Sequence, residues 1–160
     1  DVTRARLADG IPIQRGEECD LVPTVAKIVD EIRAAHPARK IHLSTTRCMA
    51  SFDGDRLEQV LSNLLANAVT HGDPVRRIRV EVEPRDEWAR ISVHNFGSPI
   101  DPNLLPHLFD PFRRAERKPA DGLGLGLYIS ERIIAGHVGK IEVRSTKAGG
   151  TRFEAMFPRR

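Results

Sequence analysis

Two asparagines four residues apart, Asn63 and Asn67, lead the residues whose types and spacing could do chemistry in this chain. On a helix they share one ridge. A side-chain amide oxygen is the kind of ligand magnesium accepts when nucleotide phosphates and water complete its shell. One asparagine could hold the metal while the other positions its waters or a phosphate; the plain alternative is a polar pair on a solvated helix flank. Further along, Gly122-Leu-Gly-Leu-Gly126 places three glycines at alternate positions before a helical pattern. Such a run is expensive in backbone entropy. Its use would be backbone N–H groups that approach an anion closely, reinforced by the start of the next helix. The spacing is neither Gly-x-Gly-x-x-Gly nor Gly-x-x-x-x-Gly-Lys-Ser/Thr, which disfavours a Rossmann cofactor and a P-loop.

Between these lie two more motifs. Asn95-Phe-Gly97 closes a strand-like stretch, and its amide could accept a hydrogen bond from an adenine amino group or simply form an Asx turn. In Leu108-Phe-Asp-Pro-Phe112, Phe109 and Phe112 read first as core residues. Arg113, Arg114, Arg117 and Lys118 follow, either a basic segment able to close over a γ-phosphate or a solvated loop. The six histidines share no metal-binding spacing and none is followed by an acid; His71 is a candidate pocket residue. Cys19 and Cys48 lack any CxxC pattern and are expected to be free, mostly buried thiols. In chain order the motifs supply a polar helix face, a base-contacting loop, a hinge and a phosphate loop, which together make a Mg-ATP pocket.

The elements that must position these residues are legible in the periodicity. Asp20 is expected to cap a helix over 21–36, ended by Pro37. Strands are expected at Ile41–Thr45 and ending near Phe52. Asp53 and Asp55 open the strongest helix, whose stripe Leu57, Val60, Leu61, Leu64, Leu65, Ala68 and Val69 sets the asparagine ridge at its edge. Residues 78–83 and 89–95 alternate as half-buried strands around a turn at Pro84–Glu87. A short helical piece near 103–108, a helix over 126–135 and a last hairpin turning at Ala148-Gly149-Gly150 complete the reading.

With 160 residues, 40% hydrophobic and 29% charged, the composition fits one soluble domain. No apolar run approaches the roughly 18 residues that span a bilayer, and the charged start is unlike a secretory signal. The net charge of +3 is spread among acids, so no nucleic-acid partner is expected.

The four motifs resemble the N, G1, F and G2 boxes of the catalytic, ATP-binding domain of bacterial-type sensor histidine kinases. That domain belongs to the GHKL superfamily, with gyrase, heat-shock-90 chaperones and MutL-type ATPases. The resemblance covers about residues 18–158, including Asp55-Arg-Leu-Glu-Gln-Val-Leu and Gly150-Thr-Arg-Phe. It implies an α/β sandwich (Bergerat fold), with a mixed sheet of about five strands and about three helices on one face, and ATP and Mg²⁺ as cofactors. On its terms Asn67 is the principal metal ligand and Asn63 shares the metal or its waters. Asn95 contacts adenine and Gly97 allows its close approach. Thr70, His71, Ile100, Phe109, Arg113 and Arg114 line the site, and Gly122, Leu123, Gly124, Leu125, Gly126 and Leu127 form the phosphate side of a lid. Thr151 supports the adenine-side waters.

The pattern has departures. Asn95 and Pro99 replace an Asp and a second glycine, so the adenine contact loses charge assistance. Thr70 stands where a basic residue is common, and His137-Val138-Gly139 replaces His-Gly-Gly. Hydrolytic superfamily members carry Glu at the Asn63 position; an amide cannot act as a general base, which favours phosphoryl transfer over hydrolysis. The expectation is a histidine-kinase catalytic domain over 18–160, with 1–17 the tail of a preceding dimerisation and phosphoacceptor region. Its partners would be that histidine-containing domain and a response-regulator receiver domain. It would be cytoplasmic, monomeric alone and homodimeric in the full protein. An anti-sigma-factor-type serine kinase or a non-catalytic nucleotide-binding module are the alternatives.

Overall fold

The computed structural model describes residues 10–111 and 125–160. Five strands form one mixed sheet: β2 (Ile41–Thr45), β4 (Ile78–Arg85), β5 (Trp88–Asn95), β7 (Gly150–Pro158) and β6 (Lys140–Thr146), in that spatial order. β2 runs parallel to β4 and every other pairing is antiparallel. A separate two-stranded ribbon joins β1 (Cys19–Asp20) to β3 (Met49–Ala50). The three helices are α1 (Val22–Ala35), α2 (Gly54–His71) and α3 (Gly126–Gly136), with a 3₁₀ turn at Leu105–His107.

Alternation along the strands decides the layering. Ile78, Val80 and Val82 of β4, Ala89, Ile91 and Val93 of β5, and Phe153, Ala155 and Phe157 of β7 are buried on one face. The helices cover that face with Val25, Ile28 and Val29 from α1, with Leu57, Val60, Leu61, Leu64, Leu65 and Ala68 from α2, and with Leu127, Ile133 and Ile134 from α3. The opposite face is polar. There Arg90, 3% exposed, reaches Glu154 at 2.9 Å, Glu81 at 3.3 Å and Glu83 at 3.4 Å. Burial opposes its charge, but the surrounding carboxylates outweigh that and hold its pKa above the usual value.

α2 starts as its sequence implies: Asp53 accepts from the Arg56 N–H at 3.2 Å, and Asp55 sits in the positive first turn. α1 differs from expectation. Its capping position is Leu21, buried and without a side-chain cap, because the Asp20 carboxylate serves two strands of chain at once. It accepts from Val22 N and Cys48 N, both at 3.1 Å. Cys48 is buried as expected, but Cys19, in the small ribbon opposite Ala50, is exposed. The β4–β5 turn is tighter than expected: Pro84 pairs with Ala89, and only Asp86 and Glu87 lie between the strands, Asp86 at φ +54°. Gly150 likewise belongs to β7, opposite Thr146, rather than to the turn.

Residues 10–17, the described part of the expected tail, lie against the domain. Arg15 donates to Ser51 O and Pro158 O, Gly16 N to Phe52 O, and Gln14 N to the Asp53 carboxylate. Residues 1–9 lie outside the described part of the chain.

Candidate functional site

The site residues come from the C-terminal part of α2, the ends of β5 and β7, and the first turn of α3. Asn63 is half-buried on α2, and its amide nitrogen donates to Gly126 O at 3.1 Å and to Ser130 Oγ at 3.3 Å. Ser130, fully buried on α3, itself donates to Gly126 O at 2.9 Å. With both N–H bonds of Asn63 directed at α3, its Oδ1 is left as the acceptor. A methyl group on Gly126 would stand 3.5 Å from Asn63 Cγ, an ordinary contact distance, so the helix start lies directly against the amide. Asn67 lies one turn further along α2, half-buried. Thr70 and His71 are exposed on its last turn.

Asn95 is the last residue of β5, 5% exposed, and pairs in register with Thr151 on β7. Its amide nitrogen donates to Phe96 O at 3.0 Å. Thr151, also buried, shares a 2.7 Å hydroxyl contact with Ser145 of β6, and Ser145 Oγ accepts from Ile100 N at 2.8 Å. The loop after β5 is thereby tied through Ile100 to the β6–β7 hairpin. Gly97 adopts φ +137°, a region nearly closed to L side chains. A Cβ there would stand 3.0 Å from Asp73 N and 3.3 Å from His71 O. Gly97 thus allows the β5 loop to lie against the end of α2, where Asp73 N donates to Phe96 O at 2.7 Å. Gly72 makes the matching approach from the helix side, since its Cβ would be 3.0 Å from that of Asn95.

This junction opens onto a cleft of about 570 Å³ lined by His71, Gly72, Asp73, Pro74, Arg76, Phe96, Gly97, Ser98, Pro99 and Lys147. The Arg76 guanidinium stacks 3.4 Å over the Phe96 ring. The Asp73 carboxyl, held below its usual pKa by N–H groups of Val75 and Arg76, fixes the turn that carries Arg76. Phe109 is half-buried and meets Phe153 edge-on at 6.2 Å, a core contact beside the site. Leu125 and Gly126 begin α3, and Leu127 is buried beneath them. Arg113, Arg114, Gly122, Leu123 and Gly124 lie outside the described residues.

The structure therefore brings Asn63 to Gly126, Asn95 to Thr151, and Gly97 to the end of α2. It adds Ser130, Ser145, Gly72, Asp73 and Arg76, which the sequence reading did not place in the site. Ser130 left a trace, being the one polar member of the α3 stripe with Leu127, Ile133 and Ile134. Among the described residues no three His, Cys, Asp or Glu side chains gather as a metal cluster; Asn63 and Asn67 bring amide oxygens, a ligand type magnesium accepts.

Residues 52–160 match the family model described as histidine kinase-, DNA gyrase B-, and HSP90-like ATPase. The sensor histidine kinase CusS of Escherichia coli O157:H7 is 35% identical over 146 residues, covering 88% of this chain and 30% of that protein. A bacteriophytochrome of Pseudomonas aeruginosa is 35% identical over 144 residues, 87% of this chain and 20% of its own length. This chain therefore spans about a third or less of these curated relatives. Among solved structures, the catalytic domain of the histidine kinase ThkA superposes with a TM-score of 0.75 at 28% identity, covering 93% of this chain and 97% of that one. The mixed five-stranded sheet with three helices is the Bergerat-type sandwich of those catalytic domains.

Proposed function

Because the chain belongs to the histidine kinase-, DNA gyrase B- and HSP90-like ATPase family, we propose that it is the ATP-binding catalytic domain of a two-component sensor histidine kinase. It would deliver the γ-phosphoryl group of Mg-ATP to a histidine on a dimerisation domain of the same protein, for onward transfer to a response-regulator receiver domain. The kinase names of CusS and ThkA support this reading. The observation that carries it is the amide at position 63, which lies against the helix that follows the glycine-rich segment. A carboxylate there could take a proton from water; an amide cannot, so the group arriving at the γ-phosphorus must bring its own nucleophilicity, as an imidazole does.

The donor set fits magnesium held jointly with nucleotide oxygens. Asn67 and the free Oδ1 of Asn63 would contribute amide oxygens from one α2 ridge, and bound metal would neutralise phosphate charge. Asn95 would accept from the adenine amino group at the end of β5, with Thr151 and Ser145 fixing its surroundings. Gly122, Gly124 and Gly126 would present backbone N–H groups to the phosphates. No helix among the described residues is long and apolar enough to cross a membrane, and the domain would work in the cytoplasm.

The test is a calorimetric ATP titration with and without Mg²⁺, alongside phosphate release and transfer to a supplied dimerisation domain. Mg-dependent binding without steady phosphate release, and an acid-labile, base-stable phosphoryl group on the acceptor, are expected. Steady hydrolysis would make the domain an ATPase. Absence of binding, with or without the acceptor domain, would make it a non-catalytic module.

A further inference from the structure

The open face of the sheet carries an ordered charge pattern that the nucleotide site does not use. Register pairing places His42, Arg79, His94, Arg152 and Arg144 side by side on five successive strands, all on the face away from the helices. At about 4.8 Å per strand this basic row is about 19 Å long and crosses the whole sheet. Within it Arg152 and Arg144 stand directly opposite one another, a like-charge pair that destabilises a sheet on its own.

Charge accounting shows that the fold does not neutralise it. Two residues further along the strands lie Glu81, Glu154 and Glu142, with Glu83 beyond. Each already has a cation on its far side: Arg90 holds Glu81, Glu83 and Glu154, Arg85 holds Glu83 at 2.8 Å, and Lys140 holds Glu142 at 3.0 Å. Arg79, Arg144 and Arg152 form no ion pair with any described residue. His94, 6% exposed, donates from Nε2 to Gly149 O at 2.6 Å and keeps Nδ1 without a partner. Together with Arg144 and Arg152, and with Glu142 and Glu154 at its side, it lines a cleft of about 440 Å³ on this face.

We infer that this row is a docking surface for an acidic helix of a partner protein, laid across the strands. The width of the row selects that occupant. A nucleic acid or an anionic membrane presents a broad negative surface, and it would meet the flanking carboxylates about 6.6 Å away along the strands. A helix edge is narrow. Its carboxylates at i, i+4, i+7 and i+11 recur every 5–6 Å or so, close to the strand spacing, so one edge could set carboxylates against Arg79, Arg152 and Arg144 together.

The probe is a labelled alanine-based helical peptide with glutamates at i, i+4, i+7 and i+11, titrated with this chain by fluorescence anisotropy at low salt. The comparison peptide has the same composition with its glutamates spread around the helix. The striped peptide should bind more tightly, and the combined variant Arg79→Gln, Arg144→Gln, Arg152→Gln should weaken it about tenfold, as three modest ion pairs would. Lys27→Gln, on α1, should leave it unchanged. Arg144→Glu alone, at the sheet edge, serves as an independent variant and should weaken it several-fold. Equal binding of the two peptides, or unchanged binding in both arginine variants, overturns the proposal. Tighter binding of a single-stranded oligonucleotide or of phosphatidylglycerol vesicles overturns it as well.

Discussion

Replacing Asn63 by Ala would test whether that side chain positions the phosphate end of the site as well as serving it. The change deletes two donors, to Gly126 O at 3.1 Å and to Ser130 Oγ at 3.3 Å. A neutral hydrogen bond contributes a net 0.5–1.5 kcal/mol or so, which puts the loss at about 1–3 kcal/mol. The lower half of that range is expected, because Gly126 O keeps its 2.9 Å bond from Ser130 and neither acceptor is stranded. The loss falls on the first turn of α3, where Ile129 N donates to Leu125 O at 2.8 Å. Amide exchange at Ile129 should accelerate roughly tenfold, while exchange in β5 and β7 changes only by the global effect. Ser130→Ala should give a smaller acceleration, and the double variant should fall short of the sum, since the three groups share one network. Unchanged Ile129 exchange in Asn63→Ala, or strict additivity with Ser130→Ala, would refute the reasoning.

Three further outcomes follow from the geometry. Asn67→Ala should abolish Mg-dependent nucleotide binding in calorimetry while the circular dichroism spectrum is retained; unchanged affinity would remove Asn67 as a metal ligand. Gly97→Ala should cost about 1–3 kcal/mol in urea denaturation and weaken ATP binding, because φ +137° disfavours any L side chain and a Cβ would press on Asp73 N and His71 O, which are backbone atoms. His137 is fully buried, donates from Nδ1 to Ile133 O and accepts at Nε2 from Asp53 N, and burial holds its pKa below the ordinary value. The unfolded chain therefore takes up the proton first: the stabilisation is present above the unfolded pKa of about 6.5 and is lost as pH falls through the lower folded value. Urea denaturation between pH 7.5 and 5 should show this slope in the native chain and less of it in His137→Gln; equal slopes would count against it.

Much of the frame could be read from local pattern, because its causes are local. The α2 stripe and the Asp53 cap depend on residues three and four apart, and the alternation of 78–83 and 89–95 depends on neighbours two apart. What escaped reading depends on contacts far along the chain. Asp20 seemed a helix cap, yet its carboxylate is divided with Cys48, 28 residues away. Cys19 lies in a two-residue ribbon, too short for alternation to distinguish its exposed position from a buried one. The site was legible as a set of boxes, but its joints were not. Ser130 meets Asn63 across 67 residues, and Ser145 meets Ile100 across 45. Gly72 caps the end of α2, and the structure also uses it as the surface on which Asn95 rests.

The register of β5 has a consequence for the order in which a nucleotide would be gripped. β5 pairs Asn95 with Thr151, and β7 carries ladders on both edges, to β5 and to β6, so Thr151 can move only if two ladders yield together. Gly126 is instead held by side-chain bonds at the start of a helix. On the proposed reading, the base end is thus built beside a strand laddered on both edges and the phosphate end on a joint that opens at lower cost. Adenosine alone should find its seat ready-made, with the triphosphate tail settling afterwards, so that release begins at the tail and the base is the last part to leave.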